Sequence, residues 1–263
     1  MADEPRPEIK VDAKSKTVVK VEHEDRQTPG PFGTGPVKAD PFVLGDLKGL
    51  ATWHVALTIK QQLEDAVAEV RAAGALMTSS GGLRDLGAPV TTARSGTSFH
   101  YTGRAIDLYK YSGMNNLETD PYIVTGDPDV GKWRIFARSS DTTLPEQALI
   151  GFKKRFVKRP VGKTFDQTVK LDSVEVTGRF IDLTAMMLKH GFKSIPARPD
   201  FLANENARDY DSAEWWHFQQ EAGLVVGRTT FGSLLLQVHT SAQLKNTGPG
   251  NASAAVWNGR IFQ

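Results

Sequence analysis

Apolar residues recur along the chain at two spacings, and the places where one gives way to the other outline its elements. In TWHVALTIKQQLEDAVAEVRAA, from Thr52 to Ala73, Leu57, Leu63, Val67 and Val70 keep roughly helical spacing. Thr52 is placed to cap the first turn and Gly74 to stop the last, so the pattern predicts a helix over 52–73. The stretch that follows, ALMTSSGGLRDLG, is a short apolar run entering a Ser/Gly-rich turn that presents Arg84. Beyond it the spacing changes to two. A strand over Arg104–Tyr109 sends Ala105 and Asp107 to one face and Ile106 and Leu108 to the other.

Two β-rich runs, Tyr122–Thr125 and Trp133–Ala137, flank GDPDVG and predict a hairpin. Asp127 and Asp129 fall in its turn; the calcium-loop pattern with a closing Glu is missing, so both are read as turn residues. The run FKKRFVKRPVGK, Phe152 to Lys163, sets basic residues among Phe152, Phe156 and Val157. It reads either as a patch for a polyanion or as a solvated strand or hairpin with one apolar face. Phe180–His190 predicts an amphipathic helix closed by Gly191, with Met186 and Met187 in the core, His190 a favourable charge near its end, and a strand resuming at Phe192–Ile195. Phe231–Leu244 predicts a last helix, before a Gly/Asn-rich stretch and a short run, Ala255–Phe262. His54 and His239, each alone on a helical pattern, are read as structural or surface residues.

Composition narrows the chemistry. The chain has 263 residues, 32 basic against 30 acidic, a formal charge of +2 and no cysteine. No global field points to nucleic acid or membrane as partner, and thiolate metal sites and disulfides are excluded. Any metal must be held by His and carboxylates. Residues 1–45 are rich in Pro, Gly and charge, and TPGPFGTGP cannot sustain helix or strand, so this part is expected to be a flexible arm with at most a short edge strand at Thr17–Val21. The N-terminus lacks the apolar run of a secretory signal. The remainder, 46–263, is expected to form one domain.

Against that background SFHYTGRAID, Ser98 to Asp107, and EWWH, Glu214 to His217, stand out. His100, Asp107 and His217 are two imidazoles and a carboxylate, the ligand set of a catalytic zinc site that keeps one position for water. Gly103 permits the bend that turns His100 back toward Asp107, and the small Ala105 leaves room. Glu214 and His217 are an odd number apart, so a straight strand would put them on opposite faces. A turn around Asp211–Glu214, feeding a strand over Trp215–Gln219, brings both to the metal. Glu214 is then the general base, and Trp215 and Trp216 wall the site, exclude water and push its pKa toward neutrality. The five positions Ser98, His100, Gly103, Ala105 and Asp107 alone, before EWWH is counted, recur by chance in roughly one chain in ten thousand, which favours a site over accident.

The pattern S-x-H-x-x-G-x-A-x-D followed by E-W-W-H resembles the D-alanyl-D-alanine carboxypeptidase and dipeptidase family of zinc peptidases. Its wider superfamily includes lysostaphin-type endopeptidases and hedgehog signalling domains. The EWWHF wording is most similar to D-Ala-D-Ala dipeptidases associated with vancomycin resistance, and the resemblance covers about Thr52 to Phe218. It implies Zn²⁺ on His100, Asp107 and His217, Glu214 as general base and acid, and Arg84 on the scissile carbonyl. It also implies Ser98 at a substrate terminus or behind the ligands. The long stretch between Asp107 and Glu214, with a hairpin and basic insertion at about 110–175, departs from the family and leaves substrate size open.

The expectation is therefore an α+β fold: a central antiparallel sheet carrying a zinc site, helices packed outside, and a long insertion between the two metal motifs. The expected activity is hydrolysis of bonds involving D-amino acids in peptidoglycan stem peptides. Without a signal peptide, such an enzyme is made in the cytoplasm and reaches its substrate through a secretion, injection or lysis route, with the arm docking to a secretion or contractile-injection carrier. Two other readings stay open, a cytoplasmic D-Ala-D-Ala dipeptidase and a non-catalytic zinc-binding interaction module.

Overall fold

A computed structural model of the chain describes residues 53–88, 90, 95–157, 168–225 and 228–245, together with the backbone of three short strands nearer the N-terminus. Those strands are β1 (Val11–Asp12), β2 (Thr17–Val18) and β3 (Pro36–Ala39). Then come β4 (Trp53–Ala56), α1 (Leu57–Ala72), β5 (Ala105–Asp107), β6 (Tyr122–Asp127), β7 (Lys132–Arg138), β8 (Gln147–Phe156) and β9 (Thr168–Gly178). The chain continues through β10 (Phe180–Asp182), α2 (Leu183–Lys189), β11 (Phe192–Ser194), α3 (Pro199–Leu202), β12 (Arg208–Asp209), β13 (His217–Gln220), α4 (Phe231–Leu235) and α5 (Ser241–Lys245). This is a mixed α+β chain with antiparallel pairing in β1–β2, β3–β4, β6–β7–β10 and β8–β9–β12. Among the described residues the strands form five sheets of two or three strands, and β11–β13–β5 carries Asp107 and His217, while His100 stands in the 3-10 turn just before β5.

The expected first helix is a strand followed by a helix. Trp53, Val55 and Ala56 are buried and His54 half-buried, the alternation of a strand, and β4 pairs with β3 from Pro36↔Ala56 to Ala39↔Trp53. That partner lies inside the stretch expected to be a free arm, so Pro36–Ala39 belongs to a sheet. Helix α1 starts only at Leu57, which at 39% exposure is not a core position, whereas Ile59, Leu63, Val67 and Val70 are buried. Thr52 and the flexibility expected of 1–45 otherwise lie outside the described residues, as do Lys158–Lys163 and the run Ala255–Phe262. Of the expected edge strand, Thr17–Val18 pairs with Val11–Asp12.

The chain divides into two compact units: Met1–Val67, Met77–Tyr109 and Gln219–Gln263 make one, Ala68–Leu76 and Lys110–Phe218 the other. In the second unit the predicted hairpin is present as β6–β7, and the side chain of Asp127 accepts from the Asp129 N–H in its turn. The expected helix over 180–190 is shorter, because Phe180–Asp182 pairs with β7 and Asp182 caps α2 by accepting from the Ala185 N–H at 3.0 Å. Met187 is buried and Met186 half-buried, and His190 Nε2 lies 2.7 Å from Glu69 Oε2. In the first unit the last helix breaks into α4 and α5. Thr230 and Ser233 form a capping box at the start of α4, and buried His239 lies with Nε2 2.8 Å from the Tyr101 carbonyl. No described helix is long and apolar enough to cross a membrane.

The first part of the basic run, Phe152–Phe156, lies in β8, a strand of the β8–β9 hairpin as one reading expected, but its inner face is not wholly apolar. Lys153 and Arg155 point outward, Arg155 onto Asp172 at 3.1 Å, while Lys154 shares the buried face with Phe152, and Phe156 is exposed. The Lys154 amine lies 3.8 Å from the Tyr210 ring centre and 4.7 Å from that of Tyr111, with no hydrogen-bond partner. Loss of hydration, reinforced by Lys110 and only partly offset by Asp120 and Asp211, lowers it from 10.5 to about 8. Below about 8 folded and unfolded chains both hold this proton. Between there and 10.5 the unfolded chain holds more, so this group makes stability rise with pH in that window. Lys154→Met, which keeps length and aromatic contact without the charge, is expected to stabilise by about 1 kcal/mol at neutral pH. Denaturant titrations from pH 7 to 10.5 would show the gain shrinking as pH rises; a gain independent of pH would contradict the assignment.

Candidate metal centre

The loop before His100 sets its orientation. Ser98 caps a 3-10 helix over Phe99–Thr102, its hydroxyl accepting from the His100 N–H at 3.4 Å. The turn 81–84 is stitched to the same place: Leu83 N–H donates to the His54 carbonyl at 2.6 Å and Arg84 N–H to the His100 carbonyl at 3.0 Å. These bonds bring the Gly82 carbonyl to 2.7 Å from His100 Nδ1. A carbonyl only accepts, so Nδ1 donates and, in the neutral ring, the lone pair sits on Nε2. Nε2 faces Asp107 Oδ2 at 3.1 Å. Two lone-pair-bearing atoms at that distance require a cation between them, a proton or a metal ion.

Asp107 is held by its main chain. Its N–H donates to the Gly81 carbonyl at 2.8 Å, and its carbonyl accepts from the Ser80 N–H and the indole of fully buried Trp53, both at 3.0 Å. Gly103 ends the 3-10 helix in the left-handed region at φ 66°, and a Cβ there would lie 2.7 Å from the Ala56 nitrogen. Arg104 reaches across to the far end of β13. Its Nε donates to the Gln220 carbonyl at 3.0 Å, its Nη2 to the Ala222 carbonyl, and its own carbonyl accepts from the Gln220 N–H at 2.8 Å. Burial lowers the pKa of this guanidinium below its ordinary value.

Those bonds fix β13, which His217 opens. The turn expected before it is present as a 3-10 helix over Tyr210–Ser212, followed by Glu214 at φ 56°; the strand itself starts at His217 rather than Trp215. His217 N–H donates to the Glu214 carbonyl at 3.0 Å. His100, Asp107 and His217 each offer one ligand atom, and these lie within 4.8 Å of one another. Tetrahedral ligands at about 2.1 Å from one ion are about 3.4 Å apart, so the group closes on an ion by shifts of about 1 Å. Two imidazoles and a carboxylate suit a divalent ion preferring nitrogen and oxygen, and the Nδ1–H···O=C bond is the outer support such a ligand needs.

The other expected site residues fall differently. Arg84 is half-buried, with its guanidinium carbon 5.4 Å from the Tyr101 ring centre. Trp215 is fully buried, its indole donating to Tyr210 Oη at 3.2 Å and its ring 5.6 Å from that of Trp216. It has no exposed surface to offer a substrate. Trp216 is also buried, 5.5 Å from the Tyr210 ring. Ser98 acts on His100 through the cap. Glu214 is buried and its Oε1 lies 2.5 Å from Arg198 Nη2, a partner that no local pattern announces.

In comparison with known proteins, the chain matches no family model, no curated protein and no solved structure.

A Cβ on residue 82 would fall 2.3 Å from the His54 carbonyl oxygen, so Gly82→Ala must displace the backbone that orients His100. Its affinity for a divalent ion is expected to drop about 10- to 100-fold, read by competition with a chromophoric chelator. Wild-type affinity in that variant would show that the carbonyl is not a support of the site.

Proposed function

We propose that the chain is a zinc peptidase that hydrolyses bonds involving D-amino acids in the stem peptides of bacterial cell walls. The observation that carries this reading is the convergence of His100, Asp107 and His217 ligand atoms within 4.8 Å, with the Glu214 carbonyl bonded to the His217 N–H. Zinc bound there would polarise the scissile carbonyl and acidify the attacking water. Glu214, as carboxylate, accepts the proton from that water and returns it to the leaving nitrogen. Arg84 follows the turn that supports His100, and a guanidinium directed at the developing oxyanion contributes ~3 to 4 kcal/mol by analogy with other oxyanion donors. The resemblance of SFHYTGRAID and EWWH to the D-alanyl-D-alanine carboxypeptidase and dipeptidase family supports the substrate class. A cell-wall substrate lies outside the cytoplasm, so the proposal includes delivery by a secretion, injection or lysis route.

Zinc-loaded wild type and Glu214→Ala, incubated with purified sacculi and with free D-Ala-D-Ala, provide the test by product mass. Release of stem-peptide fragments by wild type, reduced at least about 100-fold in the variant, is expected. Cleavage of the free dipeptide alone would replace the cell-wall reading with a dipeptidase. Tight zinc binding without cleavage of either substrate would replace both with a zinc-binding interaction module.

A further inference from the structure

A general base works from a carboxylate that is free to take a proton, yet Glu214 is engaged. Its side chain, 6% exposed, pairs with the guanidinium of Arg198, whose side chain is 27% exposed. The two are rooted in different ways. Arg198 N–H donates to the Ser212 carbonyl at 2.8 Å, and the Arg198 carbonyl accepts from Phe201 N–H at 3.0 Å in the first turn of α3. Phe201 is fully buried, so the root of the arginine is pinned, while its long side chain keeps a solvent-facing portion. Glu214 is fixed more tightly, by its left-handed backbone and by the bond from the His217 N–H to its carbonyl. Of the two, the arginine is the member that can change partner.

A guanidinium is a planar fork matched to a carboxylate, and it forms a pair of the same kind with any carboxylate that reaches it. A peptide bound for hydrolysis near its C-terminus brings one such group. We infer that Arg198 is the receptor for the free C-terminal carboxylate of the substrate, and that Glu214 occupies it until a substrate arrives. Arrival of the terminal carboxylate draws the guanidinium away and releases Glu214 to act as base. The ion pair is then an inhibitory contact relieved by the correct substrate. This rests on the peptidase reading and narrows it to chains cut close to a free C-terminus. An internal bond with no free carboxylate on its leaving side cannot make the exchange.

The test uses matched D-Ala-D-Ala-ended peptides, one a free acid and one a C-terminal amide. Wild type is expected to favour the acid at least tenfold in kcat/KM. Arg198→Ala should lose that preference mainly through a higher KM for the acid, and Arg198→Lys should recover part of it. An arginine that only orients Glu214 would instead give equal losses of kcat on both peptides, which would overturn the inference. A second readout needs no turnover. Glu214→Gln removes the internal competitor while keeping the side chain's shape, so calorimetry should show it binding the acid about 10- to 100-fold more tightly than wild type, with no such gain for the amide. Equal binding of acid and amide by Glu214→Gln would overturn the receptor whatever the activity. Acid-selective binding without cleavage by wild type would retain the receptor and reject the peptidase.

Discussion

One tautomer governs the centre. Because the Gly82 carbonyl accepts from His100 Nδ1, Nε2 presents its lone pair to Asp107, and the pair is stable only around a cation. Most of what fixes this arrangement is main chain. The Gly82 carbonyl is set by bonds from neighbouring residues to His54 and His100, and the Asp107 carbonyl by Ser80 and Trp53. Side chains at a site built this way need little freedom, and little entropy is lost when a ligand is bound. Such preorganisation is the outer support that a three-residue group able to hold a metal ion needs.

The third ligand depends on the same motif through a residue that binds no metal. Arg104, between the bend at Gly103 and the strand carrying Asp107, clamps the Gln220 backbone in both directions and holds Ala222 as well. Sliding β13 by one residue would break these bonds and turn His217 to the opposite face. The registry of the site is therefore secured three residues beyond the ligand. A buried guanidinium is costly unless its donors are satisfied, and backbone carbonyls do so here without a counter-charge.

The ligands were legible in the sequence because their spacing is dictated by geometry. Gly103 marked the left-handed bend, the alternation over Ala105–Asp107 gave its face, and the odd separation of Glu214 from His217 demanded the turn found at Tyr210–Ser212. What stayed hidden depends on partners remote in the chain. The β4 strand looked helical because Leu57, exposed in the fold, completed an apolar repeat, and because its partner Pro36–Ala39 lies in a Pro/Gly-rich stretch. Arg198 precedes a proline and reads as a helix entry; nothing in PARPD signals that it meets Glu214. Lys154 sits in a run of cations whose ordinary place is solvent, and only the alternation imposed by pairing with β9 turns it inward. Two large rings beside a carboxylate suggest a lined cleft, but Trp215 is spent on the core with Tyr210 and Tyr122.

Glu214 brings these constraints together. A non-glycine residue in the left-handed region carries strain of about 1 kcal/mol or more, and glycine at this position would relieve it. Glycine would also remove the one carboxylate joined directly through its backbone to a ligand residue. The fold sustains the strain with local bonds: the 3-10 turn closes onto Tyr210, the Glu214 carbonyl receives the His217 N–H, and the side chain pairs with Arg198. Of these, the ion pair is the one that does not define the backbone path. It is therefore the bond that can be exchanged without displacing His217, which is what the proposed exchange of Arg198 between Glu214 and a substrate carboxylate needs.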